Sequence, residues 1–290
     1  MADTGELAIE LAKHFIQRKD VKARQVSDGG YRPVREKWKM GDLKAHIDGV
    51  ETFGHYTNDS DGMTKLVVFD IDLEKNGTWV ELPSDEWIGE NVFSDKDFFD
   101  AIKIHEDAHP REEWRDRRHP ARRWYKQQLR TMVEIITSPI VNTYGMRAAA
   151  AYSGNKGCHV YAFFDEPTDI GMAREIALGV LELAGAGTSS QYEFEATKGK
   201  NFFQYNDPDP YTGFKNLSIE IYPKQDTMEG KDFGNLVRLP GGINHKGPTY
   251  KVKGEVKHEP AFFIDQRAAV REIIPHPDPV TLLQTGRPYL

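Results

Sequence analysis

"TKLVVFDID", residues 64–72, is a run rich in β-branched and aromatic residues that ends in two aspartates two positions apart. Read as a strand, it alternates: Phe69 and Ile71 point to one side and into a core, while Asp70 and Asp72 share the other face. Two carboxylates that close repel, so one tends to hold a proton unless a cation sits between them. Hard divalent ions such as Mg²⁺ and Mn²⁺ take oxygen ligands of this kind and leave room for phosphate oxygens. Alone, the pair is equally the mark of a solvent-exposed strand end.

Outward from this strand, the chain reads as a mixture of strands and helices in irregular order. Residues 6–17 have the spacing of a helix with Leu7, Leu11 and Phe15 on one face. "DGGYRPVREKWKMGD" is turn-rich and basic, and reads as a loop or short strands. A helix is expected over "RRWYKQQLRTMVEIIT", burying Tyr125, Leu129, Met132 and Ile136. Another is expected in "PTDIGMAREIALGVLELAGAG", capped by Thr168 or Asp169, with Met172, Ile176 and Val180 on a shared face. Strands are expected at "CHVYAFF", "SIEIYPKQ" and "GNLVRLPGG". The fold class is therefore α+β rather than a regular βαβ array. Residues 1–60 read as an N-terminal module and 61–255 as the core, with 76–120 an insertion dense in Trp, acids and arginine. Residues 256–290 form a proline-punctuated tail expected to wrap the surface or fray.

The composition bounds the function. The chain has 290 residues, 39% hydrophobic and 29% charged, which suits a globular protein with a substantial core. No apolar run approaches the ~20 residues of a membrane span, and the acidic, amphipathic start is unlike a signal peptide. With one cysteine, neither a disulfide framework nor a Cys-rich zinc or iron–sulfur site is expected, and a cytoplasmic location fits. The net charge of −7 means that any nucleic-acid contact must come from local basic patches.

Two further stretches bear on the acid pair. In "NLSIEIYPKQ", Leu217, Ile219 and Ile221 alternate with Ser218, Glu220 and Tyr222, so Glu220 is a third acid on the polar face of a strand that could neighbour the first. It reads equally as a solvent-facing glutamate. In "AYSGNKGCHVYAFF", residues 151–164, a loop with two glycines precedes an apolar strand. Glycines let backbone N–H groups approach an anion, Ser153 can donate a hydrogen bond, and Lys156 offers a point charge. His159 can donate from an imidazole nitrogen. Taken singly, Gly-x-x-Gly is common in turns and His159 could be structural; Cys158 reads as a small packed side chain.

The order Asp70-x-Asp72, Ser153-Gly-Asn-Lys-Gly-Cys-His159, Glu220 and then "GNLVRLPGGINHKG" resembles the archaeo-eukaryotic primase superfamily. That superfamily includes primase-polymerases and the polymerase domain of bacterial end-joining ligases. The likeness is greatest to primases of phages and mobile elements and covers most of residues 10–250. It implies a primase-type core, with a central mixed or antiparallel RRM-like sheet flanked by helices. It further implies that Asp70, Asp72 and Glu220 are catalytic carboxylates holding two Mg²⁺ or Mn²⁺ ions. Ser153, Lys156, His159 and Arg238 would then bind the triphosphate of an incoming nucleotide. The implied partners are a single-stranded DNA template, nucleoside triphosphates and a separate helicase or replication protein, in a bacterial host cell if the gene is a phage's. Two departures stand out: the third acid is often aspartate in relatives, and the zinc-binding cysteines of many mobile-element relatives are missing.

Template contact has two candidate regions. Residues 111–130 interleave seven arginines, among them Arg118, Arg122 and Arg123, with Trp114, Trp124 and Tyr125. Glu112, Glu113 and Asp116 dilute that patch, so a solvated helix face competes with the binding reading. The N-terminal module offers a second region that includes Arg24 and Arg35. Alternatives to a primase are a repair polymerase that only extends primers, a nucleotide-sensing replication-initiation module, and a two-metal phosphoesterase.

Overall fold

The structure, a computed structural model, describes residues 3–73, 120–185, 193–197, 202–206, 217–230, 232–247, 249–267 and 273–289. The expected insertion at 76–120 lies almost wholly outside these residues, as does Arg118. Among the described residues no helix is long and apolar enough to cross a membrane.

The acid-bearing run forms the long strand β4 (Met63–Leu73), which sits in the middle of a seven-stranded sheet. The sheet also contains β5 (Arg147–Tyr152), β6 (Gly157–Asp169), β7 (Glu193–Thr197), β8 (Phe202–Asn206), β9 (Leu217–Tyr222) and β13 (Phe262–Phe263). Its order is β13-β5-β6-β4-β9-β8-β7, and every pairing is antiparallel. The α+β expectation holds, with antiparallel rather than mixed pairing among the described residues.

Both faces of this sheet are covered, which explains why the central strands are apolar on both sides. On one face, Val67, Phe69 and Ile71 pack with Leu129, Met132, Val133, Ile136 and Ile140 of helix α3 (Pro120–Asn142) and with α4 (Ile170–Gly185). On the other, Leu66, Val68, Tyr161 and Phe163 meet Ala8, Leu11 and Phe15 of α1 (Thr4–Phe15). Alternation along β4 puts Asp70 and Asp72 on this second face, beyond Leu66 and Val68. The alanine run at 148–151 is a buried strand: alanine prefers helix, but Ala148 and Ala150 are needed against α3 while Ala149 and Ala151 face the other layer.

Helix α4 differs from the expected face. Asp169 caps it, accepting from the Gly171 and Met172 N–H groups at 2.9 and 3.3 Å. The buried stripe, however, is Ala173, Ala177, Val180, Leu181 and Ala184, and Met172 is 61% exposed. Small side chains let the helix lie close to the sheet, and that rotation leaves Met172 outside.

The N-terminal region builds a second sheet from β1 (Lys22–Gln25), β2 (Tyr31–Val34) and β3 (Phe53–Tyr56), with α2 (Met40–Ile47) between β2 and β3. Its fourth strand comes from far along the chain: β10 (Leu236–Arg238) pairs with β3, Arg238 lying opposite Gly54. The described residues of the tail pack on the body of the protein. The tail supplies β13 to the edge of the large sheet, and α5 (Pro279–Thr285) buries Leu282 and Leu283 against the α1 layer.

His46 ties these pieces together. Its Nδ1 accepts the Phe53 N–H at 3.1 Å, which leaves Nε2 to donate to the carbonyls of Leu239 and Pro240 at 3.1 and 3.2 Å. The ring is therefore neutral. Burial, and then the charge of Arg238, lower its pKa to about 4. Burial also lowers His55, to about 3, with His159 adding to the effect. In the unfolded chain both titrate near the usual ~6.5. Below that pH the unfolded state takes up protons that the native state refuses, so stability is complete above ~6.5 and declines as pH falls toward 4. At pH 5 the expected loss is about 2 kcal/mol for each histidine. Urea unfolding at pH 7.5 and pH 5 measures it, and equal midpoints would contradict the buried neutral rings.

Candidate active site

Strand register brings the first two elements of the site together. Asp70 lies directly opposite Glu220 on β9 and opposite His159 on β6. Residues opposite each other in an antiparallel pair project to the same face, so Glu220, Asp70 and His159 form one row across three strands. One step along, Asp72 lies opposite Gly157 and Ser218. Gly157 is required there, because a Cβ would run into the Asp72 carboxylate and the Ile71 carbonyl.

Each acid faces a cation or donor. His159 Nε2 is 3.2 Å from Asp70 Oδ1, Lys156 Nζ is 3.0 Å from Asp72 Oδ2, and Lys224 Nζ is 2.9 Å from Glu220 Oε1. The Tyr222 hydroxyl donates to Glu220 Oε2 at 2.7 Å. His159 Nδ1 lies 3.0 Å from the hydroxyl of fully buried Tyr161. With Nε2–H directed at Asp70, Nδ1 accepts from Tyr161, and the ring orientation is fixed at both ends.

The electrostatics separate the two aspartates. Burial pushes Asp70 up, but His159, Arg238 and Lys156 outweigh it and leave the carboxyl below its ordinary value. Asp72 is raised to about 6, by burial first and the Asp70 charge second, with Lys156 offsetting only part. A carboxyl held up by its neighbour's charge is one that a cation would relieve. Among the described residues no three His, Cys, Asp or Glu side chains are drawn into a closed ligand set. The carboxylate oxygens gathered on one face nonetheless have the chemistry that hard divalent ions take.

The loop between β5 and β6 is tightly built. Ser153 N–H donates to Gly157 O at 2.9 Å, while Ser153 Oγ accepts from the Asn155 and Gly157 N–H groups at 3.3 and 3.1 Å. Arg238 reaches this loop from the other sheet: its Nη2 donates to Ser153 O at 2.8 Å and Nη1 to Gly241 O at 3.3 Å. Asn244 adds a bond to the same Ser153 carbonyl at 3.2 Å. Gly154, with φ +71, sits against the Glu259 carbonyl where no side chain would fit. Cys158 is buried on the helix side, and its thiol pKa is raised, by burial first, as a packed thiol's should be.

The three acids, the three loop residues and Arg238 named from sequence thus lie around one patch. Of the weaker template candidates, the described side chains are those of Arg24 and Arg35, and both have acidic partners. Arg24 pairs with Glu51 at 3.1 Å, and Arg35 pairs with Asp232 at 3.7 Å and lies over the Phe233 ring. Arg122 and Arg123 belong to the first turn of α3, and their side chains lie outside the described residues. Further along that basic stretch, Lys126 pairs with Glu259, and Arg130 binds the carbonyls of Asp265 and Gln266. These two cations hold the C-terminal segment. Sequence reasoning missed Tyr161 and Lys224; the first shares His159's face at i+2, and the second follows Glu220 by four residues.

The model of one family, the archaeo-eukaryotic primase domain of TOTE conflict systems, matches residues 7–217. The chain belongs to that family. The matched span of this primase-family domain holds Asp70, Asp72 and the Ser153–His159 loop, and ends just before Glu220. Among solved structures the domain is similar to the polymerase domain of Mycobacterium tuberculosis ligase D, in complex with DNA. That likeness has 10% identity and a TM-score of 0.42, and covers 88% of this chain and 78% of the other. No curated protein matches.

Proposed function

We propose that this domain is a template-directed nucleotidyl transferase, a primase-polymerase that joins nucleotides from triphosphates to a 3′-hydroxyl. The observation that carries the reading is the single row of Glu220, Asp70 and His159, with Lys156 facing Asp72 beside it. Asp70, Asp72 and Glu220 would hold two Mg²⁺ or Mn²⁺ ions, which when bound supply Lewis acidity at the attacking and leaving oxygens. The chain's own part is to position and to neutralise. In the ligand-free arrangement Lys156 and His159 compensate the acids. Lys156 and His159 are also the donors placed to meet the triphosphate, and the charge of Lys156 would oppose what builds up on the leaving pyrophosphate. Tyr161 keeps the His159 ring aimed, and Arg238 and Asn244 hold the Ser153 carbonyl so that the loop's shape is set before nucleotide arrives. The substrate strand is single-stranded DNA, and unwinding falls to a separate helicase or replication protein.

His159→Ala should weaken nucleotide binding by about 10- to 100-fold, the worth of one charge-assisted hydrogen bond. Titration with a fluorescent nucleotide in the presence of Mg²⁺ measures this, and an unchanged affinity would remove His159 from the site. Synthesis on primed and unprimed single-stranded DNA separates an initiating primase from a polymerase that only extends. Hydrolysis of DNA without synthesis would turn the reading to a phosphoesterase.

A further inference from the structure

Beyond the site, strands β11 (Thr249–Val252) and β12 (Glu255–His258) form a separate two-stranded ribbon. Both of its ends are rooted on the Ser153–Gly157 loop. Before the ribbon, Gly247 packs against the Gly154 carbonyl so closely that a Cβ would not fit, and Asn244 binds the Ser153 carbonyl. After it, the backbone of Glu259, Pro260 and Ala261 lines the other side of Gly154. The ribbon therefore springs from the loop assigned to the triphosphate, and its tip lies roughly 15 Å beyond its root at ~3.4 Å per residue.

Its surface is basic, on a chain whose net charge is −7. Lys251, Lys253 and Lys257 are all exposed, and Glu255 is the one acid between Thr249 and His258. The pairing of Lys251 with Val256 and of Tyr250 with Lys257 puts Lys251 and Lys257 on opposite faces, with Lys253 at the tip. Val252 and Val256 are 39% and 61% exposed beside them. The tip itself is informative. Lys253 has φ 50 and Gly254 φ 87, the left-handed pair of a two-residue hairpin turn, for which Asn-Gly is the favoured sequence. Among the described residues Lys253 is the one non-glycine residue with positive φ. A lysine thus stands at a position where asparagine would be less strained.

We infer that the β11–β12 ribbon is a nucleic-acid-binding arm that grips the phosphodiester backbone of the strand held at the active site, through Lys251, Lys253 and Lys257. This rests on the polymerase reading and names the surface through which that site holds its polymer. Positive charge on both faces and at the tip suits a narrow arm lying between or along phosphate rows, whereas a lone nucleotide bound at the loop would not reach it.

The test uses the full chain carrying Lys251→Gln, Lys253→Asn and Lys257→Gln, with binding of a labelled 30-nucleotide single-stranded DNA followed between 50 and 200 mM salt. Each lost phosphate contact should lower the slope of log K against log salt by about 0.7, so the triple variant should lose about 2 units of slope. Affinity should fall by 10-fold or more near 100 mM salt, with binding of the fluorescent nucleotide unchanged. Lys253→Asn alone relieves the turn and so keeps the fold; it should lose about 0.7 of slope. If both variants bind DNA with the wild-type slope and affinity, the arm is overturned while the polymerase reading stands. If the wild-type chain binds no DNA, both fall.

Discussion

Asp70→Asn should abolish nucleotide incorporation, with a fall of three orders of magnitude or more, while the protein remains folded. The central carboxylate lies opposite both Glu220 and His159, so no other side chain can take its place in the row. Losing several kcal/mol of charge stabilisation at the reacting phosphate corresponds to about a thousandfold in rate. The same change has a second readout that does not depend on activity. Asp72 is held near pH 6 by burial and by the Asp70 charge, and removal of that charge should let its titration fall. Carboxyl NMR of the ligand-free chain follows it. Retained synthesis, or an Asp72 titration indifferent to Asp70, would break the assignment of the pair.

The second large effect is expected at Gly157→Ala. Gly157 lies opposite Asp72, and its missing side chain is what lets β6 pass the Asp72 carboxylate and the Ile71 carbonyl. The carboxylate can swing away from an added methyl, but the carbonyl belongs to the central strand and can move only with it. Overpacking of this kind costs about 1–3 kcal/mol. The catalytic loss should exceed what stability alone explains, since a displacement of about 1 Å at such a site costs on the order of a hundredfold. Urea unfolding and an incorporation assay on the same preparation separate the two losses. Wild-type values in both would mean that β6 and β4 are not so closely apposed.

The parts of the site that were legible in the sequence are those that a single strand encodes. Period-two alternation places Asp70 with Asp72 and sets Glu220 apart from Ile219 and Ile221, because a half-buried strand must sort polar from apolar side chains. The glycines of the Ser153–His159 loop read as room for an anion, whereas in the structure Gly154 and Gly157 answer to local crowding and the Asn155 and Gly157 N–H groups donate to Ser153 Oγ. What alternation cannot express is which strand lies beside which. Glu220 stands directly opposite Asp70 only through a register between segments far apart in the chain, and Arg238 reaches the loop from a different sheet. The face of α4 was misread because Met172 is apolar, whereas close approach to the sheet selects Ala173 and Ala177. The tail's prolines left wrapping and fraying open, and they do not reveal that Leu282, Leu283 and Phe263 are buried in the core. The partial engagement of the 111–130 basic stretch is likewise a tertiary fact: Lys126 and Arg130 find their partners more than a hundred residues away.

Whether transfer is template-directed is decided by the identity of the nucleotide incorporated. The intact chain would be given Mg²⁺ or Mn²⁺, all four labelled ribo- or deoxynucleotides in turn, and single-stranded DNA of defined sequence, with Asp70→Asn as the blank. Product is expected only from the nucleotide complementary to the template, and none with the variant. Product that ignores the template, or synthesis that survives in Asp70→Asn, would contradict template-directed transfer at this site.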